Sequence, residues 1–162
     1  VGIILCYEVF FFLTHWIAHF PSLYGHIHKI HHEWKAPIGM AAIYCHWLEH
    51  IVCNLFPLIM GPLILGCHAV TLWAWIIFGL FSTVSHHSGY HFPWMLSSEY
   101  HDYHHLVFNQ NFGVLGIMDH LFGTTSKFQE SYQYQLHKTF LTPDYFEIKN
   151  QLIATRGKTK NE

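Results

Sequence analysis

"IVCNLFPLIMGPLILGCHAVTLWAWIIFGLFSTV", residues 51–84, contains no Asp, Glu, Lys or Arg, and the uncharged run continues to Ser98, 48 residues in all. A water-facing fold hardly supplies so long a stretch without charge, so it reads as membrane-embedded. Breaks at Pro57, Gly61, Pro62 and Gly66 divide its apolar part into two helices, about 47–60 and 68–85, joined by "GPLILGC". A full crossing takes about 20 residues, which leaves two tight crossings and a re-entrant or interfacial hairpin both open. In either arrangement the two ends return to one side. Every Lys and the only Arg (Arg156) lie in the flanking polar sections, 22–46 and 86–162. The positive-inside rule puts that side in the cytoplasm.

Composition supports the same class. Of 162 residues, 51% are apolar, 18% aromatic and only 11% charged, against about 25% charged in ordinary soluble domains. The length suits one domain, and no nucleic-acid partner is expected. Residues 1–13 are apolar apart from Glu8 and lack the basic start and cleavage site of a signal peptide. They read as the end of a membrane helix that stops at Pro21, and the chain, which begins at Val1, reads as a fragment. Cys6, Cys45, Cys53 and Cys67 form no C-x-x-C pair and read as small buried hydrophobes.

Seventeen histidines are about twice an even share. Ten of them fall into four spaced clusters: His15 and His19; His28, His31 and His32; His87 and His91; His101, His104 and His105. Separations of three and four residues stack side chains on one helical face, with Cβ atoms about 5–6 Å apart. Ten imidazoles exceed the roughly four ligands of a zinc site and suit two metals of five or six ligands each. Imidazole serves iron, copper, nickel and zinc alike, so ligand type does not choose the metal. Ionisable groups beside a bilayer are costly and mark functional sites. Metal binding needs the deprotonated ring, so affinity falls as pH drops through the histidine range. His46 and Glu49, in "HWLEH", are candidates for orienting a ligand through a hydrogen bond. His26 lies out of phase with the second cluster, and His68, His86, His120 and His137 read as structural or solvated. Trp73, Trp75, Phe78 and Phe81 are candidates for lining a path from the bilayer to the metals, or for packing alone.

These motifs resemble the fatty acid hydroxylase / sterol desaturase superfamily of membrane di-iron enzymes. The resemblance rests on H-x-x-x-H at 15–19, "HKIHHEWKAPIG" at 28–39, "HSGY" at 87–90, "HDYHHLVFNQNFG" at 101–113 and "DHLFGT" at 119–124. It implies an all-α integral membrane bundle with a cytosolic histidine-rich di-metal cap, multi-pass in the endoplasmic reticulum. Residues 1–126 would be the hydroxylase-type domain, N-terminally incomplete, and 127–162 a polar C-terminal tail. The implied metal ligands are His15, His19, His28, His31, His32, His87, His91, His101, His104 and His105, with no catalytic side chain beyond them. Two irons, O₂, and electrons from NAD(P)H through cytochrome b5 or its reductase would oxidise a lipid C–H bond. The "HEWKAPIG" and "HDYHH" neighbourhoods lean towards the C-4 methylsterol oxidase branch, in sterol biosynthesis. The alternatives are a fatty acyl or sphingolipid hydroxylase, a catalytically weak pseudo-enzyme, and a metal-binding membrane protein. Trp16 and His120 depart from the family's usual Arg at each place, which keeps the weak-enzyme alternative open. The terminal "KTKNE" has lysines third and fifth from the end and looks like a dilysine retrieval signal.

Overall fold

The computed structural model describes residues 1–35, 38–90, 92, 95–138, 147, 150, 151, 153 and 154. The "KTKNE" tail lies outside the described residues, as does His91. The elements are helical throughout the described residues: α1 (Gly2–Ala18), α2 (Pro21–Tyr24), 3-10 segments His28–Glu33 and Gly39–Ile43, α3 (Trp47–Glu49), a π segment His50–Leu55, α4 (Phe56–Ile64), α5 (Ala69–His86), α6 (Ser98–Val107), α7 (Ile117–Phe122), α8 (Ser126–Gln129) and α9 (Tyr132–Lys138).

Pro21 sits in the first turn of α2, where its missing N–H costs nothing, so the chain turns sharply out of α1. α3, the π segment and α4 run on as one helix, Trp47–Ile64, whose widened turn lies just before Pro57. Inside α4, Pro62 cannot donate to the carbonyl four residues back, that of Leu58. The indole of Trp75 on α5 fills the gap, donating to Leu58 O at 2.8 Å. The sequence break at Pro62 is thereby turned into a contact between the two helices. Gly61 lets α4 lie directly on α1: a Cβ there would stand 3.0 Å from Ile3 O.

Trp47–Ile64 and Ala69–His86 are long and apolar enough to cross a membrane. Apart from Leu58 and Trp75, their buried positions are small or polar, including Gly61, Gly79, Ser82 and Ser85. Large apolar side chains such as Leu63, Trp73, Ile77 and Phe81 are exposed. This inversion of the usual soluble pattern suits close backbone contact inside and apolar surroundings outside. Both ends of the hairpin reach the histidines: Glu49 bonds His28, and His87 follows α5 directly. The apolar tip at 65–68 connects them at the other end.

Beyond the hairpin, α6 carries one histidine cluster and packs on α9. Tyr100, Tyr103 and Phe128 form a buried core under it, with Val107 and Tyr134 at its edge. Phe128 and Leu136, from the segment read as a polar tail, are each 1% exposed, and Phe128 belongs to this core.

Candidate metal centre

Nine of the ten singled-out histidines come together, in two groups. His15, His19, His28, His32 and His104 form the first, and His31, His87, His101 and His105 the second. Within each group the ligand nitrogens all lie within 4.8 Å of one another.

Each H-x-x-H-H motif serves both groups, in opposite proportions. His28 and His32 enter the first group and His31 the second; His101 and His105 enter the second and His104 the first. In both motifs positions i and i+4 stay together while i+3 enters the other group. The local structures nevertheless differ. His101, His104 and His105 lie on the α-helix α6, whereas His28, His31 and His32 lie on a 3-10 segment. The α-helical face expected for the second cluster is therefore replaced by a tighter winding. The third cluster is not helical throughout: His87 caps α5, and the chain turns through Gly89 at φ +74°.

The ring nitrogens show why a cation fits. His15 Nδ1 donates to Phe112 O at 2.7 Å, and His28 Nδ1 to Glu49 Oε1 at 2.7 Å. With their protons used there, both Nε2 atoms carry bare lone pairs, yet these atoms stand 3.1 Å apart. The second group repeats the arrangement. His31 Nδ1 donates to Tyr44 O at 3.3 Å and His87 Nδ1 to Thr83 O at 2.8 Å, and their Nε2 atoms lie 3.3 Å apart. Two lone pairs at that distance repel unless a cation lies between them. His104 Nδ1 likewise donates to Gln110 O at 2.7 Å, and its Nε2 meets those of His19 and His32 at 3.2 and 3.1 Å.

Burial keeps these rings neutral. His28, His101 and His104 are held well below the ordinary histidine range, first by desolvation and then by the neighbouring imidazoles. His31 is lowered to about 4 and His87 to about 3, again chiefly by burial. Neutral imidazole is the form that binds metal.

Glu49 touches the first group directly through His28. His46 does not: its Nδ1 accepts the Leu48 N–H and caps α3. Trp16 lies among Phe12, Phe20 and Phe122, and His120 is exposed.

Two buried carboxylates that sequence reasoning passed over hold the site's outer wall. Glu8 accepts the N–H groups of Val114, Leu115 and Met118 at 2.9, 2.7 and 3.1 Å. Asp119 accepts those of Phe112 and Gly113 at 2.7 and 2.6 Å, together with the hydroxyls of Tyr100 and Thr124. The loop they pin supplies the Phe112 and Gln110 carbonyls that orient His15 and His104. Gly113 is squeezed between the carboxylates; a Cβ there would stand 2.8 Å from each. The available signal was Glu8 itself, the one charge in an apolar helix.

Fold and site together define an all-helical protein with a paired, buried histidine centre at the foot of an apolar hairpin. The chain belongs to the fatty acid hydroxylase family, whose model matches residues 1–124. It is 47% identical over 134 residues to human (Homo sapiens) fatty acid hydroxylase domain-containing protein 2, covering 83% of this chain and 40% of that one. Methylsterol monooxygenase 1-3 of Arabidopsis thaliana is 36% identical over 160 residues, covering 90% of this chain and 52% of that one. Very-long-chain aldehyde decarbonylase GL1-11 of Oryza sativa subsp. indica is 37% identical over 136 residues, covering 76% and 51%. The chain thus spans between two fifths and about half the length of these relatives. No solved structure matches.

Proposed function

We propose that the protein is a membrane di-iron oxygenase acting on a lipid C–H bond, with a C-4 methylsterol as the leading substrate. The observation that carries this reading is the convergence of nine histidine rings into two groups whose ligand nitrogens lie within 4.8 Å of one another. His15, His19, His28, His32 and His104 would hold one iron, and His31, His87, His101 and His105 the other, with His91 as a further candidate. Two irons so held would supply activation of O₂ for oxidation of an unactivated C–H bond, with electrons from NAD(P)H through cytochrome b5.

The chain's own residues serve that chemistry by orientation and exclusion. Phe112 O, Gln110 O, Glu49, Tyr44 O and Thr83 O fix the rings from behind, so each Nε2 faces inward. The exposed apolar faces of Trp47–Ile64 and Ala69–His86 support embedding in a bilayer, and we place it in the endoplasmic reticulum with the histidines on the cytosolic side. Relatives named methylsterol monooxygenases support the sterol assignment.

The test supplies 4-methylsterols and ceramides to membranes containing the full-length protein, with O₂ and NADH. Oxidation at the sterol 4-methyl group is expected. Oxidation of ceramide alone overturns the sterol assignment, and exchangeable zinc without oxygen chemistry overturns the oxygenase.

A further inference from the structure

A small chamber of about 30 Å³ touches His87 and His101 of the four-histidine group. It adjoins an apolar cavity of about 500 Å³ against α1 and α5, whose wall includes Ile4, Trp75, Phe78 and Leu115. Of the aromatic residues proposed for such a path, Trp75 and Phe78 line the cavity, whereas Trp73 and Phe81 are not among its lining residues. Both spaces share Tyr7, Ser82 and His86. No hydrogen bond joins the hydroxyls of Tyr7 and Ser82 or the ring nitrogens of His86 to the described residues, and none of these atoms is sealed inside the protein. Three polar groups open to the space where an apolar cavity meets the chamber offer hydrogen bonds to a polar group of a ligand that enters it. No Asp, Glu, Lys or Arg lines either space among the described residues. A carboxylate or phosphate held at these three residues would have no charged side chain beside it, whereas a hydroxyl can both donate to and accept from such neighbours.

We propose that Tyr7, Ser82 and His86 form a polar collar that binds the hydroxyl of a neutral, otherwise apolar lipid. The collar lies where the cavity opens into the chamber, so a carbon within a few bonds of that hydroxyl is the one presented to the His31–His87–His101–His105 group. The five-histidine group contributes no residue to either space, which assigns the substrate's approach to the four-histidine side. This inference rests on the oxygenase reading and narrows its substrate to hydroxylated lipids, such as 3-hydroxysterols or ceramides, over free fatty acids.

The test is equilibrium binding to the purified full-length protein, without NAD(P)H, so that no turnover occurs. The probes are tritiated 4,4-dimethyl-3-hydroxysterol with its 3-deoxy counterpart, ceramide with 1-deoxyceramide, and a long-chain fatty acid as competitor. The wild type is expected to bind one hydroxylated lipid about five- to tenfold more tightly than its deoxy counterpart, as one or two hydrogen bonds allow. Tyr7→Phe with Ser82→Ala is expected to bring that ratio close to one while metal content stays unchanged. Ser82→Ala alone is expected to lower it part of the way, which keeps the test valid should the double variant fail to fold. The pair that shows the ratio names the lipid. No ratio with either pair, an unaltered ratio in the variants, or equal competition by the fatty acid overturns the collar. A wild type that shows the ratio but oxidises neither lipid under turnover conditions refutes the oxygenase reading and leaves the collar standing.

Discussion

The centre's chemistry is decided by where single protons sit. His28 donates its Nδ1–H to Glu49, and that leaves its Nε2 free to face His15 and His32. Glu49→Ala removes the acceptor, and iron affinity at the five-histidine group is expected to fall about 10–100-fold. Metal titration checks this; unchanged affinity would mean that Glu49 does not orient the ring. The depressed histidines also set a pH dependence. His31 and His87 titrate near 4 and 3 in the folded protein but near 6.5 when unfolded. The unfolded chain therefore binds more protons below pH 6.5, and stability falls as pH drops from there towards 4. The slope is about 1.4 kcal/mol per pH unit for each such histidine. Unfolding of the metal-free protein between pH 7.5 and 5 reads this directly, and a flat profile contradicts it. At this scale the sequence made nine clustered rings legible through spacing alone. It hid their partners, because the Phe112 and Gln110 carbonyls belong to a loop that only the fold brings to α1 and α6.

Elements place those rings by different windings of one motif. "HKIHH" and "HDYHH" share a spacing, yet one forms a 3-10 segment and the other an α-helix. In both windings the i+3 ring enters the other group, while the hydrogen-bond pattern of a six-residue segment is decided by tertiary packing rather than by spacing. The loop at 110–118 is held by Glu8 and Asp119, and Asp119 alone accepts from two backbone N–H groups and two hydroxyls. Asp119→Ala strands these donors, and a loss of about 2–4 kcal/mol in unfolding free energy is expected. Metal should be lost first from the group that contains His15 and His104. Equal loss from both groups would show that the loop does not act through these rings. Pro62 was legible as a break, but its consequence, the Trp75 bond to Leu58 O, was not. A missing N–H announces a free carbonyl without naming what will fill it.

Over the whole molecule, apolar side chains face outward from the hairpin and imidazoles converge at its foot. The uncharged run made two apolar helices legible, about 47–60 and 68–85; the structure lengthens the first to Trp47–Ile64 and shifts the second by one residue to Ala69–His86. If α5 meets lipid, Ile77→Lys on its exposed face costs about 2.5–3.5 kcal/mol of insertion. Reduced membrane integration in a microsomal assay is the expected result, and full integration would contradict a lipid-facing α5. Two separable groups would hold two metals, and iron per chain in anaerobically purified full-length protein measures this most directly. Two irons are expected in the wild type, and about one in each of His19→Ala and His87→Ala, which belong to different groups. A wild type with one iron or none, or variants that both lose all metal while still folded, would contradict it.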